Sequence, residues 1–161
     1  MIVVPTAAQR QVAREIALMR RHGKEKRKFV RGDMDVGKTD FLGVLAEIVA
    51  AGLFGVTPNM DYKFIDDGFD FNVNAVKVEV RHSLLNNARL IIAKTWQLPS
   101  ELKADAYMLV TGDQTKMKIA GYVPRAKVST VGKLINLGYG QTLCVAQEDL
   151  SPVEELLNVV S

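Results

Sequence analysis

GFDFNVNAVKVEVRHS, residues 68–83, alternates apolar and polar side chains on either side of a short polar turn at Asn74. Alternation of this kind over about four to eight residues is typical of a half-buried β-strand, because successive side chains of a strand point to opposite faces. The pattern therefore predicts a β-hairpin with strands at 68–73 and 75–82.

The second predicted strand separates its charged side chains from its apolar ones. Lys77, Glu79 and Arg81 fall on one face, and the valines between them fall on the other. Pairing across the turn brings Asp70 close to Glu79. Carboxylate oxygens so placed are hard ligands suited to Mg²⁺, and a cation beside them can stabilise charge that develops on a phosphate. The alternation alone is equally typical of an exposed hairpin whose charges are solvated.

Periodicity and turn residues predict the remaining elements. Helices are predicted at 6–22, 41–52, 124–132 and 151–160, and further strands at 62–66, 89–94, 104–112, 117–123 and 142–147. The strand at 104–112 is expected at the centre of the sheet, because its middle residues are nearly all apolar. The order of elements predicts an α/β (α+β) fold, a mixed central β-sheet flanked by helices, in one domain covering residues 1–161.

Asp70, followed after a hairpin turn by Glu79-Val80-Arg81, resembles the core pattern of the PD-(D/E)XK nuclease superfamily, an acidic residue and then (D/E)-x-K on the next strand. GVLAEIVAAGLFG resembles the first core helix of that superfamily, with Glu47 in the place of its frequent glutamate. KADAYMLVTGDQTKMKIAGYVPRAKV resembles its later strands and the helix after them. The resemblance spans about residues 40–128 and implies a restriction-endonuclease-like core.

The resemblance also implies an activity and a set of metal ligands. It implies a metal-dependent nuclease that hydrolyses phosphodiester bonds in DNA. Asp70 and Glu79 would ligate Mg²⁺ or Mn²⁺, the Val80 carbonyl would complete the shell, and Glu47 would hold a water or a second ion. Glu47 stands among apolar helix residues, where an unpaired carboxylate is costly.

One position departs from the superfamily pattern, since Arg81 stands where the lysine is expected. Arginine stays charged at any ordinary pH, so it can steady a phosphate but cannot act as a base. Metal-bound water can supply the nucleophile instead, and Lys77 on the same strand face is a candidate substitute. The departure also keeps a second hypothesis open, a non-catalytic nucleic-acid-binding module with the same fold.

The N-terminal segment, about residues 6–31, is predicted to be helical at first and strongly basic throughout. Residues 1–32 carry a net charge of +7 in a chain whose net charge is +3, so the remainder is acidic. Such an asymmetry indicates a polyanionic partner, although a solvated helix face is an equal alternative. The residues predicted to contact nucleic acid are Arg20, Arg21, Lys26, Arg27 and Lys28. The apolar stripe of the helix is predicted at Ala8, Val12, Ile16 and Met19.

GDMDVGKTD, residues 32–40, fits the phosphate-binding pattern G-x-x-x-x-G-K-[ST] and raises a third hypothesis, a nucleotide hydrolase. The context argues against it. The residues before it are charged where an apolar strand is needed, and Asp33 and Asp35 would repel a triphosphate. We therefore expect a surface loop that binds no nucleotide and leads into a helix capped by Thr39 or Asp40.

Composition bounds the class of protein. The chain has 161 residues, enough for one domain, and its single cysteine, Cys144, excludes an internal disulfide framework and a cysteine-based zinc site. A reducing cytoplasmic setting is expected, in a prokaryote or in the host cell of a phage. No apolar run approaches the ~18 residues of a membrane span, and the N-terminus lacks a signal-peptide pattern. DNA is the expected partner, and a homodimer is compatible with the sequence.

Overall fold

A computed structural model describes residues 1–25, 36–59, 68–94, 102–138 and 140–160. Its helices are α1 (Ala7–Glu25), α2 (Val36–Leu53), α3 (Arg125–Val131) and α4 (Val153–Val160), with a 3₁₀ turn at Gln147–Asp149. Its strands are β1 (Ile2–Val3), β2 (Phe71–Val73), β3 (Val76–Ser83), β4 (Leu90–Lys94), β5 (Ala106–Gly112), β6 (Met117–Pro124), β7 (Lys133–Asn136) and β8 (Gln141–Val145). The predicted mixed α/β class is confirmed.

The strands of the described ranges form two sheets rather than the single sheet predicted from the sequence. The larger has the order β1-β6-β5-β3-β2, with β3 and β5 parallel and the other pairs antiparallel. The smaller has the order β4-β8-β7 and is antiparallel. Because β3 and β6 occupy both sides of β5, β4 has no free edge beside β5 and pairs with β8 instead.

Strand β5 lies at the centre of the larger sheet, as its apolar sequence predicts, and it is buried on both faces. On one face Val78 and Met108 pack in a core that contains residues of α1 and α2. On the other face Tyr107 and Leu109 pack with residues of β4 and α3 in a second core. Burying both faces makes β5 and its neighbour β3 a rigid support for any site built on them.

The helix boundaries differ from the prediction in two places. Helix α2 begins at Val36, so Thr39 and Asp40 lie within the helix, and the predicted cap at these residues is wrong. Helix α1 buries Ala13, Ile16 and Ala17 while Val12 and Met19 are exposed, so its apolar stripe is displaced from the predicted one. Within the ranges that the structure describes, no helix is both long and apolar enough to cross a membrane.

Most of the predicted strands are confirmed, and two further strands were missed. Strand β1 has two residues and is too short to produce a periodic pattern. Strand β7, KLIN, is almost wholly exposed and lacks an apolar face. The predicted strand at 62–66 lies outside the described residues.

Candidate functional site

The hairpin of β2 and β3 places Asp70 beside the middle of β3. Phe71 pairs with Val78 across the hairpin, and Asn74 in the turn has φ 52°, a left-handed conformation that asparagine tolerates well. The Asp70 N–H donates to the Val78 carbonyl at 2.8 Å. The Val80 N–H donates to Asp70 Oδ2 at 2.6 Å. The short polar turn thereby fixes both the backbone and the carboxylate of Asp70 against β3.

Glu79 is a buried carboxylate with a cationic partner. The residue is 6% exposed, and its Oε1 lies 2.8 Å from Arg81 Nη2. It stands opposite Tyr107 of β5 in the parallel ladder. Burial, and then the negative charge of Glu79, raise the pKa of the Tyr107 phenol. Burying a carboxylate is costly unless it is paired, so the bond to Arg81 is part of what keeps Glu79 inside.

Helices α1 and α2 contribute a second ion pair. Arg20 donates two hydrogen bonds to Glu47, at 3.1 Å to Oε1 and 3.0 Å to Oε2, in the bidentate geometry of a strong arginine–carboxylate pair. Burial would lower the pKa of Arg20, but the bonds to Glu47 and the charges of Glu47 and Asp70 raise it. Arg20 is therefore paired with Glu47 and within electrostatic range of Asp70.

The pKa of the Asp70 carboxyl is strongly raised. Burial raises its pKa to about 8, and the negative charges of Glu47 and Glu79 add to the rise. The Val80 hydrogen bond and the positive charge of Arg81 oppose it without cancelling it. Glu47 and Glu79 are thus both within electrostatic range of Asp70, and their charges add to the effect of burial.

The three carboxylates reach this point from different elements. Helix α2, which carries Glu47, packs on the sheet face that contains Val78 and Val80. Strand alternation places Glu79 on the opposite face, with Tyr107. Asp70 directly precedes β2, the strand at the edge of the larger sheet. We call Glu47, Asp70 and Glu79 the carboxylate cluster.

The carboxylate cluster fits a divalent cation by the chemistry of its donors. Carboxylate oxygens are the ligands preferred by Mg²⁺ and Mn²⁺. Burial, and then the charges of Glu47 and Glu79, raise the pKa of Asp70, and a nearby cation would lower it. Among the described residues, however, no three His, Cys, Asp or Glu side chains already stand in a metal-holding arrangement. In the structure Glu47 and Glu79 are instead paired with Arg20 and Arg81.

The other predicted site residues lie elsewhere or outside the described part. Lys77 is exposed, with its ammonium 5.2 Å from the centre of the Phe69 ring. Arg21 belongs to α1, and Lys26, Arg27 and Lys28 lie outside the described residues. In the described part of the chain, the cations that pair with the cluster are Arg20 and Arg81.

Sequence reasoning placed Arg20 with the nucleic-acid contacts and missed its pairing with Glu47. The two residues lie on different helices, 27 residues apart in the chain, so no local pattern indicates the pairing. Comparisons of the chain with protein-family models, with curated proteins and with solved structures gave no match. The function is therefore argued from the geometry of the site.

The perturbed Asp70 carboxyl predicts an unusual dependence of stability on pH in metal-free protein. An unfolded aspartate titrates near 3.9, whereas the folded carboxyl titrates at about 8. Between these values the native state holds a proton that the unfolded state has lost. The stability conferred by protonated Asp70 is therefore complete below pH ~4 and is lost as the pH rises through the folded value.

Asp70→Asn should remove this loss of stability at high pH, because asparagine does not ionise. At pH 9 we expect the variant to melt ~3 °C or more above wild type. A shift of this size corresponds to roughly 1 kcal/mol in a chain of this length. Melting curves between pH 5 and pH 9 in chelator measure the effect. Asp149→Asn changes an exposed carboxylate and serves as control. If the melting temperatures of wild type and Asp70→Asn change in parallel with pH, the raised pKa of Asp70 is contradicted.

Proposed function

We propose that the chain is a metal-dependent nuclease that hydrolyses phosphodiester bonds in DNA, with a restriction-endonuclease-like core of the PD-(D/E)XK type. The observation that carries the proposal is the β2–β3 hairpin, which holds Asp70 against Val80 and next to Glu79 and Arg81. The electrostatic effect of Glu47 on the same carboxyl supports it, since the resemblance assigns this position to the site as well.

The arrangement of elements supports the proposed core. Helix α2, the hairpin of β2 and β3, strands β5 and β6 and helix α3 follow one another in the order on which the sequence resemblance rests. Strand β5 lies next to β3 in the sheet and parallel to it, so the strand bearing Glu79 is held between β2 and β5.

The roles of the residues follow from their positions. Asp70 and Glu79, with the Val80 carbonyl, would hold Mg²⁺ or Mn²⁺, and Glu47 would hold a water or a second ion. A bound cation of this kind supplies an activated water and neutralises phosphate charge. The Arg81 side chain is 46% exposed, so its guanidinium can meet a phosphate from solvent while it remains paired with Glu79. A cation fixed in this way stabilises charge as it develops in the transition state.

Cleavage of supercoiled plasmid DNA by the purified chain tests the proposal. Nicked or linear product should form with Mg²⁺ or Mn²⁺ and should be absent with chelator. An electrophoretic binding assay on the same DNA, run in parallel, separates the alternatives. DNA binding without cleavage in either metal would replace the nuclease by a binding module, and the absence of both would remove DNA as the substrate class.

The second candidate, a non-catalytic nucleic-acid-binding module with the same fold, is favoured by one observation. Arg20 and Arg81 already neutralise Glu47 and Glu79 without any metal. A site that had lost its cation would need such internal partners, because unpaired buried carboxylates are destabilising. The raised pKa of Asp70 favours the metal-dependent nuclease over this candidate, because a bound cation would let this buried carboxyl ionise.

The nucleotide-hydrolase hypothesis predicts that the chain binds ATP or GTP, and we do not expect this. Helix α1 extends to Glu25, which leaves only 26–31 for the apolar strand that should precede a phosphate-binding loop, and these residues are mostly basic. Calorimetric titration with ATP or GTP in Mg²⁺ should therefore give no measurable heat of binding. Tight binding that is abolished by Lys38→Ala would reverse this conclusion.

The basic segment should contribute affinity without sequence information, because lysine and arginine contacts to phosphate do not read bases. Replacing Lys26, Arg27 and Lys28 together by glutamine should weaken binding to all DNA sequences. It should also flatten the dependence of log Kd on log salt by about one unit for each phosphate that the variant no longer binds. Binding measured by fluorescence anisotropy over a range of salt gives this slope. An unchanged slope would place the DNA contacts elsewhere.

A further inference from the structure

A cavity of about 770 Å³ opens next to Arg81 on the side away from the hairpin turn at Asn74, between the two sheets. Its walls are largely apolar and include Leu85, Ile91 and Leu109, and Arg89 is among the polar lining residues. This volume lies within the ~300–1,000 Å³ typical of pockets that hold small organic molecules. Arg81 both lines the cavity and pairs with Glu79, so it links the cavity to the carboxylate cluster.

The loop that borders this cavity presents two apolar side chains to solvent. Leu84 and Leu85, directly after β3, are 54% and 66% exposed. The loop backbone is nevertheless fixed, since Gln147 Nε2 donates to the carbonyl of Asn86 at 2.7 Å and to that of Ala88 at 2.9 Å. We call residues 84–89 the leucine loop. Adjacent leucines held exposed on a fixed loop add nothing to the hydrophobic core and are typical of a binding surface.

We propose that the leucine loop is a wedge that unstacks one nucleotide of the DNA bound at the carboxylate cluster, and that the adjacent cavity receives this nucleotide. The inference rests on the proposed nuclease function and names its substrate class, DNA with an unpaired or easily unpaired nucleotide beside the scissile phosphate. Apolar side chains inserted between base steps unstack them, and extruded bases are bound in pockets with apolar walls.

The charges around the cavity match this occupant. Arg81 and Arg89 both line the cavity, so two guanidinium groups are present to bind the phosphates on either side of an extruded nucleotide. Asn87 adds an amide that can hydrogen-bond a base edge. An apolar ligand without phosphates would leave both arginines without a role in its recognition.

The test uses 2-aminopurine, whose fluorescence rises when it leaves the base stack, placed next to the scissile position of a short duplex. Glu79→Gln serves as the background so that the DNA is bound but not cleaved. Fluorescence should rise severalfold on binding. The affinity should be ~10-fold higher when the 2-aminopurine lies opposite a gap than when it is paired, because the protein then avoids part of the unpairing cost.

Leu84→Ser with Leu85→Ser should abolish the fluorescence rise while phosphate-dependent binding is retained. Leu134→Ser, which removes a leucine that is 57% exposed on β7, is the matched control and should leave the rise intact. Binding with no rise, or a rise that survives the double substitution, would overturn the wedge while leaving the nuclease untouched. A rise in a wild-type chain that never cleaves would support the wedge and reject the nuclease. Absence of DNA binding would overturn both.

Discussion

Glu79→Gln should lower the rate of DNA cleavage by ~10³-fold. The substitution keeps the shape of a side chain that is only 6% exposed and removes its negative charge. A cation held at the cluster is worth several kcal/mol in the transition state, and each 1.36 kcal/mol is a factor of about ten in rate. Single-turnover cleavage with saturating enzyme measures the chemical step without contributions from product release.

Glu148→Gln is the matched control for Glu79→Gln, since it makes the same chemical change on an exposed residue of the 3₁₀ turn. It should cleave at the wild-type rate. Melting temperature and DNA affinity should be measured for both variants, because Glu79→Gln also leaves the Arg81 guanidinium without its charged partner. Wild-type cleavage by a folded Glu79→Gln protein would remove Glu79 from the site.

Arg81→Ala should reduce turnover by ~10²-fold with little change in DNA affinity, because the guanidinium acts on charge that develops in the transition state. Arg81→Lys restores the superfamily pattern and should cleave at least as well as wild type. If the wild-type chain only binds DNA, the lysine variant is the one substitution expected to produce cleavage. Turnover and affinity measured separately distinguish a catalytic effect from a binding effect.

Arg125→Ala is a close control for the arginine series. Arg125 is 46% exposed, as Arg81 is, and it pairs with a carboxylate of Asp105 at 3.0 Å. Removing it should leave cleavage unchanged, so a loss seen only at Arg81 cannot be attributed to breaking a half-exposed ion pair. Equal losses in both variants would mean that Arg81 acts on stability rather than on the phosphate.

The local parts of the fold could be predicted because the sequence repeats its signal along each element. The alternation around Asn74 predicted β2 and β3, and five consecutive apolar residues predicted the central position of β5. A strand with one buried face alternates apolar and polar residues, and a strand with two buried faces is a continuous apolar run. Both patterns can be recognised within one short segment of the chain. The proximity of Asp70 to Glu79 followed from the same hairpin.

The parts that could not be predicted depend on contacts between distant residues. The pairing of Arg20 with Glu47 joins two helices, and the apolar stripe of α1 was misplaced because Ala13 and Ala17 are too small to dominate a hydrophobic pattern. The separation of β4 and β8 into a second sheet is set by which strand edges are free, which no local pattern encodes. The positions of Glu47, Asp70 and Glu79 relative to one another likewise depend on the tertiary structure and could not be predicted from local patterns.

Binding of Mn²⁺, counted by the loss of the free-ion signal in electron paramagnetic resonance, tests the central claim most directly. Wild-type protein should bind at least one Mn²⁺ at pH 7 and should release protons as it does so, because ligation requires the Asp70 carboxylate to be ionised. Glu79→Gln combined with Asp70→Asn should abolish the binding, and Glu148→Gln should retain it. A wild-type chain that binds no Mn²⁺, or a double variant that binds as wild type does, would contradict the assignment of the carboxylate cluster as a metal site.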